Sequence, residues 1–402
     1  MARTDQAMTR SATQALNITF VIPYFYPAWE YGGQPRSAYE LARALVQRGH
    51  RVKVLTTDSA GHSRLSAGHR QVDGIDVIYY RNFSNWLAFR KRLFWPQALW
   101  REMHSQISGT EILHIHELRS TLSVFAYRAA QTQHVPYVLS THGGLKHLGR
   151  RSVKTVFDAF WGSRILRDAA AVLAISPAEE KDARDMNLRL PQVRPLPNMV
   201  ALSDYASLPV RGTFKSRNGL AAGKIILFLG RLHWVKGADL LIEAFRRIVD
   251  SQGDTKLIIA GSDDGQEAAL RALVNTLRLN DSVKFVGFLD DRSKREALVD
   301  ADLLVIPSRS EVFAITALEA LMCGCRVLLS DVCGLHPMPS SEHGVELFQS
   351  NNVEDLARRL LPNLESATSS AVANAGRQFV INEFSSDKVS ARAESIYRMV
   401  LG

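Results

Sequence analysis

A glycine-rich stretch near the middle of the chain carries two cationic side chains between an apolar run at 225–229 and a helical pattern. Its chemistry-bearing residues are Gly230, Arg231, Lys236 and Gly237. Glycine lets a ligand approach the backbone closely. Cations at the end of a strand lie near the positively polarised N-terminus of the following helix. Two cations and backbone amides suit a diphosphate. The alternative is a basic loop without function.

Two carboxylates, Glu311 and Glu319, stand eight residues apart around the start of a predicted helix. Eight residues span about 12 Å of helix, which is too far for the paired acid and base of a glycosidase. The spacing suits hydrogen bonds from separate hydroxyl-bearing parts of one long ligand. Amides of Val312, Phe313 and Ala314 would add donors at the helix start. A capping glutamate and a solvated one would share this spacing.

Two loops in the first half of the chain could also contact a ligand. Gly32 and Gly33 lie between the first strand and the first helix, which is predicted to begin at Pro35. Paired glycines there let the backbone close on a phosphate or form a surface turn. Their spacing does not match the dinucleotide fingerprint. His142 follows the strand 137–140, where it could donate a hydrogen bond or move a proton, unless it is a structural histidine.

Histidines and cysteines give little support for a metal site. His114 and His116 alternate along one strand and would share a face. No other histidine or cysteine cluster has matching spacing, so no metal is predicted. The chain has three cysteines, which do not build a disulfide framework and are expected to be core thiols.

Short apolar runs alternate with helical patterns along all 402 residues, which is typical of parallel sheets covered by helices on both faces. Three prolines in 191–197 interrupt the alternation, and it then restarts. We therefore predict an α/β chain with two open-sheet domains, 1–205 and 206–385. A last helix within 386–402 could pack back on the first domain.

The net charge is unevenly distributed. Residues 1–200 contain 26 Lys and Arg against 15 Asp and Glu, a net charge of +11, whereas residues 201–402 carry −2. A one-sided basic domain suggests an anionic partner: nucleic acid, a membrane surface or a phosphorylated substrate. The absence of a signal-peptide pattern and of an apolar stretch of about 18 residues predicts a cytoplasmic protein.

Two segments, 82–104 and 145–167, mix aromatic residues with arginines and lysines. Such segments are typical of interfacial helices on anionic lipid, and would place the protein peripherally on the inner face of the cytoplasmic membrane. A solvated basic face above a buried aromatic stripe is one alternative, and nucleic-acid binding is another.

Taken in order, four motifs resemble those of retaining GT-B glycosyltransferases of family 4, over nearly the whole chain. They are the Gly32-Gly33 loop, Thr141-His142-Gly143, Gly230-Arg231 with Lys236-Gly237, and Glu311 with Glu319. The resemblance implies two Rossmann-like domains facing each other across a cleft. It also implies transfer of a hexose from a UDP- or GDP-sugar to a polysaccharide or lipid-linked saccharide, with neither metal nor other cofactor.

The resemblance also implies roles at the donor diphosphate. Arg231 and Lys236 would neutralise it and support its departure. Gly33, in the loop with Gly32, would give a backbone amide to the same group. The acceptor would sit on the N-terminal domain.

The sugar and the nucleoside would be held by a second set of residues. Glu311, with the amides of Phe313 and Ala314, would hold the transferred sugar, and Glu319 would accept from the ribose hydroxyls. His142 would hydrogen-bond the sugar near the reacting carbon.

The chain departs from the family pattern at Ala314, where glycine is usual. If that position needs a positive φ, alanine would be strained there. Two other readings stay open: a nucleotide-sugar epimerase of similar fold, for which further acid and base carboxylates are missing, and a basic membrane- or nucleic-acid-binding protein without catalysis. A binding protein without catalysis would leave the charged residues of the second half unexplained, namely Arg231, Lys236, Glu311 and Glu319. Nucleic acid is therefore not an expected partner.

Overall fold

The computed structural model describes residues 14–145, 151–185, 193–220, 223–251, 253–365 and 369–402. The chain divides into two compact units. Unit 1 comprises Met1–Met199 with Ser386–Gly402, and unit 2 comprises Val200–Ser385. The division thus falls a few residues before the predicted boundary at 205.

Unit 1 is built on an eight-stranded sheet with the order β10-β9-β8-β7-β1-β2-β6-β5, beside a small hairpin of β3 and β4. Its strands are Asn17–Val21 (β1), Arg51–Thr57 (β2), Ser59–Ala60 (β3), Ser63–Arg64 (β4), Gly68–Val72 (β5), Ile75–Tyr80 (β6), Ile112–His116 (β7), Tyr137–Ser140 (β8), Ala171–Ala174 (β9) and Val193–Pro195 (β10). Its helices before residue 200 are Gly33–Gln47 (α1), Asn85–Lys91 (α2), Gln97–Gln106 (α3), Thr121–Gln133 (α4), Arg151–Phe157 (α5), Ser163–Asp168 (α6) and Pro177–Asp185 (α7).

The sheet of unit 1 is parallel except at one edge, where β5 pairs antiparallel with β6. This antiparallel edge strand was not predicted from the sequence. Asp73 and Gly74 both have positive φ, 49° and 80°, and make a two-residue turn between the strands. An Asp-Gly pair at such a turn matches the strand twist and closes a hairpin.

Apolar layers cover both faces of this sheet because successive strand residues point to opposite sides. Val21 lies in the layer under α3 and α4, whereas Phe20 and Ile22 lie in the layer under α1. The carboxyl ends of the parallel strands therefore emerge at one edge, between the two helical layers, where ligands of such sheets bind.

Unit 2 contains a six-stranded parallel sheet with the order β13-β12-β11-β14-β15-β16. Its strands are Ile225–Leu229 (β11), Lys256–Ala260 (β12), Val283–Gly287 (β13), Leu303–Ile306 (β14), Arg326–Ser330 (β15) and Val345–Phe348 (β16). Its helices are Thr213–Arg217 (α8), Ala238–Arg246 (α9), Glu267–Thr276 (α10), Asp291–Asp300 (α11), Ile315–Met322 (α12), Val353–Glu365 (α13) and Ser370–Phe384 (α14). The prediction of two α/β domains with parallel sheets is confirmed.

The helix Ser386–Leu401 (α15) follows unit 2 in the chain but belongs to unit 1. Val389, Ala393 and Tyr397 lie in the apolar layer that contains α1. Arg48, after α1, is bonded to Glu394 at 2.8 Å. The hydroxyl of Tyr397 lies 2.8 Å from Nδ1 of His114 on β7, so α15 reaches the sheet itself.

Candidate active site

The loop from Gly230 to Gly237 joins the carboxyl end of β11 to α9 in unit 2. Gly237 has φ 70°, and a Cβ added there would lie 2.0 Å from the carbonyl oxygen of Pro307, just after β14. No other residue fits this position without moving backbone. The loop is therefore pressed against the neighbouring strand end, which places Lys236 at the carboxyl edge of the sheet.

Lys236 and Glu311 form an ion pair through Nζ and Oε2, and both side chains are partly buried. The structure thus brings two predicted site residues into contact. The family resemblance implied different ligand parts for them, the diphosphate for Lys236 and the transferred sugar for Glu311. The contact follows from the topology, since β11 and β14 are neighbours and their following loops meet.

Arg231 is paired with Asp264, which follows β12 and was not predicted as a site residue. The two side chains are 47% and 44% exposed. An ion pair in such an exposed position contributes about 0–1 kcal/mol, so an anionic ligand can replace its carboxylate at little cost.

Arg309 holds the basic loop in place and was also missed by the sequence analysis. Its guanidinium donates to both carboxylate oxygens of Asp239, at 2.8 and 2.6 Å, and to the carbonyl oxygen of Trp234 at 2.7 Å. Its backbone amide donates to the carbonyl oxygen of Val235 at 2.7 Å. These bonds fix the turn that carries Lys236.

The segment from Glu311 to α12 has an ordinary backbone at Ala314, with φ −82° and ψ 69°. The strain expected from alanine at this position is absent. The Ala314 amide donates to the carbonyl oxygen of Gly334 at 3.2 Å and is not a free donor, which corrects its predicted role. In the described part of the chain, the amides of Val312 and Phe313 have no protein acceptor and remain available to a ligand.

Glu319 lies inside α12 and is nearly buried, with Oε1 at 2.6 Å from Nζ of Lys294 on α11. No residue that the structure describes donates to its second oxygen, Oε2. Lys294 compensates the buried charge, and the free oxygen could accept from a hydroxyl. Lys294 was not predicted because the pairing joins two helices.

In unit 1, Gly32 has φ 99° and precedes α1, which begins at Gly33. The helix start predicted at Pro35 is therefore two residues late. The Gly33 amide is the first of the helix, has no intrahelical acceptor and has open space around its Cα. A backbone amide at a helix start can donate to a phosphate.

His142 stands after β8 with φ 47°, and its Nε2 lies 3.0 Å from Nδ1 of His116 on β7. The rings of His114, His116 and His142, here called the histidine row, are stacked in that order at 4.0 and 5.3 Å between centroids. Burial lowers the pKa of His142 to about 4, and holds those of His114 and His116 well below their usual range. The row is uncharged at neutral pH.

The hydrogen bond between His116 and His142 decides which nitrogen of His142 carries its proton. Nε2 of His116 is buried and has no partner among the described residues, so a proton there would be an unsatisfied donor. The favoured arrangement puts the His116 proton on Nδ1, donating to Nε2 of His142. His142 then carries its proton on Nδ1, where it can donate to a ligand.

Two buried ionic groups position the loop around His142. Glu179 accepts from the Thr141 hydroxyl, from the Gly143 amide at 2.6 Å and from the Ile175 amide at 3.0 Å. Arg119 pairs with Asp158 at 2.9 and 2.6 Å and donates to the carbonyl oxygens of residues 144 and 145. Apart from the bond between Ile175 and Glu179, these contacts join residues at least 25 positions apart, so spacing could not reveal them.

Metal-ligand geometry is not found in the described ranges, where no group of three or more His, Cys, Asp or Glu is arranged to hold an ion. The histidine row stacks instead of converging on a point. The three cysteines are buried and unpaired, and burial raises the pKa of Cys323 and Cys333 to about 12.

The basic-aromatic segments expose many of their rings. Phe83, Trp86 and Phe160 are 79%, 62% and 67% exposed, in contrast to a buried aromatic stripe. Arg128 on α4 lies 5.1 Å from the Trp100 ring and 6.0 Å from the Trp161 ring, so both segments flank this helix. Residues 146–150 lie outside the described residues. None of the described helices is long and apolar enough to span a membrane.

Comparison with known families matches both halves of the chain. A family model described as glycosyl transferases group 1 matches residues 211–379, and one described as Glycosyltransferase Family 4 matches residues 31–204. An uncharacterised glycosyltransferase of Methanocaldococcus jannaschii is 25% identical over 408 residues, covering 95% of this chain and 98% of its own.

A second relative is a subunit of human phosphatidylinositol N-acetylglucosaminyltransferase, 25% identical over 80% of this chain; the alignment spans 63% of the human protein. The crystal structure of Anabaena HepE in complex with UDP and glucose has a TM-score of 0.75 at 17% identity, over 94% of this chain and 98% of its own. Its likeness shows the GT-B fold. Since the two family models together match nearly all of both α/β units, the chain belongs to the GT-B glycosyltransferases of the family 4 type.

Proposed function

We propose that the protein is a retaining glycosyltransferase that moves a hexose from a nucleoside-diphosphate sugar to a hydroxyl of a polysaccharide or lipid-linked saccharide. The observation that carries the proposal is the loop 230–237. It places Lys236 at the carboxyl edge of the unit 2 sheet beside Glu311, on a backbone that only Gly237 permits.

In this proposal the charge of the leaving diphosphate is stabilised by side chains. Lys236 and Arg231 exchange their carboxylate partners for phosphate oxygens, and the amides of Val312 and Phe313 supply further donors. The bond between the anomeric carbon and the phosphate oxygen breaks. The acceptor oxygen bonds to that carbon on the same face, and its proton passes to the departing phosphate. The sugar keeps its anomeric configuration.

The donor and acceptor classes draw support from the relatives. HepE was crystallised with UDP and glucose, and the name of the human relative describes transfer of N-acetylglucosamine to phosphatidylinositol. A UDP-sugar donor and a lipid-linked acceptor are therefore the first pair to test, with GDP-sugars as the comparison.

The test is a binding and hydrolysis screen with UDP-glucose, UDP-N-acetylglucosamine and GDP-mannose. A true donor at a hundredfold excess over its Kd stabilises the fold by about 2.7 kcal/mol, which raises the melting temperature. Failure of all three to do so would contradict the proposal. Formation of an epimer without any acceptor would instead favour the epimerase reading. Transfer that continues in EDTA is expected, because cationic side chains neutralise the diphosphate.

We further propose that the exposed basic-aromatic segments bring the enzyme to an anionic membrane surface, where a lipid-linked acceptor would lie. Aromatic rings in the interface and nearby arginines each contribute to such binding, at about 1 kcal/mol per basic residue. Replacing Arg90, Lys91 and Arg92 by glutamine is expected to weaken binding to vesicles that contain phosphatidylserine. Unchanged binding would indicate that these segments form only a solvated basic surface and do not bind the membrane.

A further inference from the structure

A polar cluster at the carboxyl edge of the unit 1 sheet contains no residue of the motifs described above. The Tyr24 hydroxyl, after β1, donates to Oε1 of Gln34 at 2.8 Å and lies 3.5 Å from Oε2 of Glu117, after β7. Since β1 and β7 are adjacent and β8 follows β7 in the sheet, Glu117 lies along the edge between the start of α1 and the strand end that carries His142.

The backbone at this edge is strained at two neighbouring strand ends. Glu117 has φ 75° and His142 has φ 47°, although neither is glycine. Such conformations cost on the order of 1 kcal/mol or more and persist where surrounding contacts over-determine them, which occurs most often at ligand sites.

The chemistry of the cluster is that of a partner for a hydroxyl group. Glu117 offers carboxylate oxygens as acceptors, and Nε2 of Gln34 is a buried donor that makes no hydrogen bond of normal geometry to the described residues. A hydroxyl can donate to the first and accept from the second, whereas a phosphate can only accept. Nε2 of Gln34 lies near the Glu117 carboxylate without a hydrogen bond of normal geometry, so a ligand that accepts from it would lower the free energy.

The charge at the cluster also favours a hydroxyl group over a phosphate. Burial raises the pKa of Glu117 to about 7, with the charge of Arg92 and the nearby side chains of Tyr24 and Gln34 opposing the shift. A carboxyl that is partly ionised at neutral pH accepts from a hydroxyl and disfavours a nearby anion. Arg92, whose guanidinium lies 5.7 Å from the Tyr24 ring, is the cation that acts on this carboxyl, and the Glu117 charge offsets its attraction for an anion.

We propose that Glu117, together with Tyr24 and Gln34, binds a neutral hydroxyl-bearing ring of the acceptor, a sugar or a cyclitol, and excludes a phosphate from this position. The proposal rests on the proposed glycosyl transfer and names the chemical class of the acceptor group at unit 1. Anionic parts of the acceptor would lie elsewhere on the basic unit.

The experiment measures ring binding separately from donor use. Saturation-transfer NMR with octyl β-D-glucoside, myo-inositol and inositol 1-phosphate, in the presence of UDP, compares the parent protein with Glu117→Gln and Tyr24→Phe. We expect binding of at least one neutral ring and weaker binding of the phosphate. Each variant is expected to lose affinity for the ring by about tenfold, while the Kd for UDP is unchanged.

The matched control is Asp73→Asn. Asp73 also has a positive φ, 49°, and also accepts from a tyrosine hydroxyl, that of Tyr39, but it precedes β6 at the opposite edge of the sheet. Ring binding that is absent in the parent protein, or unaffected by both edge variants, would overturn the proposal. Loss of UDP binding in Glu117→Gln would also overturn it, by placing Glu117 at the donor. If the parent protein does not bind UDP, the proposed function fails. In that case, ring binding measured without UDP still tests the proposed ring site at Glu117.

Discussion

The two units hold their candidate groups in opposite ways. In unit 2, Arg231, Lys236 and Glu319 each face a partner of opposite charge. In unit 1, His142 is uncharged and is bonded to another neutral imidazole, that of His116. The Arg231–Asp264 pair is half exposed and exchanges partners at little cost, whereas a buried neutral network keeps one geometry. We therefore expect unit 2 to accommodate a change of charge and unit 1 to supply fixed hydrogen bonds.

The largest effect that this comparison predicts follows Lys236→Ala, which removes the less exposed of the two cations assigned to the diphosphate. Turnover of the donor is expected to fall by about 10³-fold, in line with the loss of one fixed transition-state donor. The control is Lys256→Ala, at the amino end of β12, whose Nζ donates to the carbonyl oxygen of Asp281. Near-parental turnover in the Lys236 variant, measured by donor hydrolysis, would contradict the role of the loop.

His116→Phe tests whether the neutral network of unit 1 positions His142. Removing the donor to Nε2 of His142 frees its tautomer, so we expect a loss of turnover of about tenfold. His116→Asn, whose amide can replace the Nδ1 donor, should recover most of it. Nitrogen NMR of His142 reports the tautomer directly. An unchanged tautomer in the phenylalanine variant would refute the positioning role.

The histidine row also makes the fold sensitive to acid. Because its three pKa values are lower in the folded protein than the usual 6.5, the unfolded chain binds more protons below that pH. The free energy of unfolding should fall as the pH decreases from about 6.5 to 4, by up to about 1.4 kcal/mol per pH unit for each histidine. Urea unfolding at pH 7.5, 6 and 5 measures the slope. His142→Asn should reduce it, and equal slopes would argue against burial of a neutral imidazole.

The smallest effect is expected for Asp264→Asn, which removes the exposed partner of Arg231. Since the pair contributes no more than about 1 kcal/mol, the KM for the donor should change by less than about fivefold, and downwards, because Arg231 no longer exchanges partners. Steady-state kinetics with the donor identified by the binding screen provide the measurement. A large loss of turnover would show that Asp264 does more than pair with Arg231.

Local signals were sufficient for the parts of the fold and site that the sequence predicted. Apolar runs marked the strands Ile225–Leu229 and Tyr137–Ser140 to the residue, and glycine at 237 marked the end of the basic loop. The helix start at Gly33 was placed late because Pro35 is itself a common residue of a first helical turn.

The groups that position the site could not be predicted because their partners lie on other elements. Lys294 reaches Glu319 across 25 residues, and Asp264 reaches Arg231 across 33. The alternation of His114 and His116 was visible in the sequence, but it was weighed only as a metal-ligand pattern. In the structure, these two histidines belong to a stack that extends to His142, because β7 pairs with β8.

The return of α15 to unit 1 has a consequence for the order in which the protein folds. On the ribosome, all of Val200–Ser385 is synthesised before the helix that supplies Tyr397 to His114, a delay of about 10–40 s at usual rates of elongation. During that interval unit 2 is still being synthesised, while the apolar face around α1 lacks its cover. Nascent unit 1 is therefore expected to keep apolar surface exposed until the end of synthesis, after the whole of unit 2 has been made.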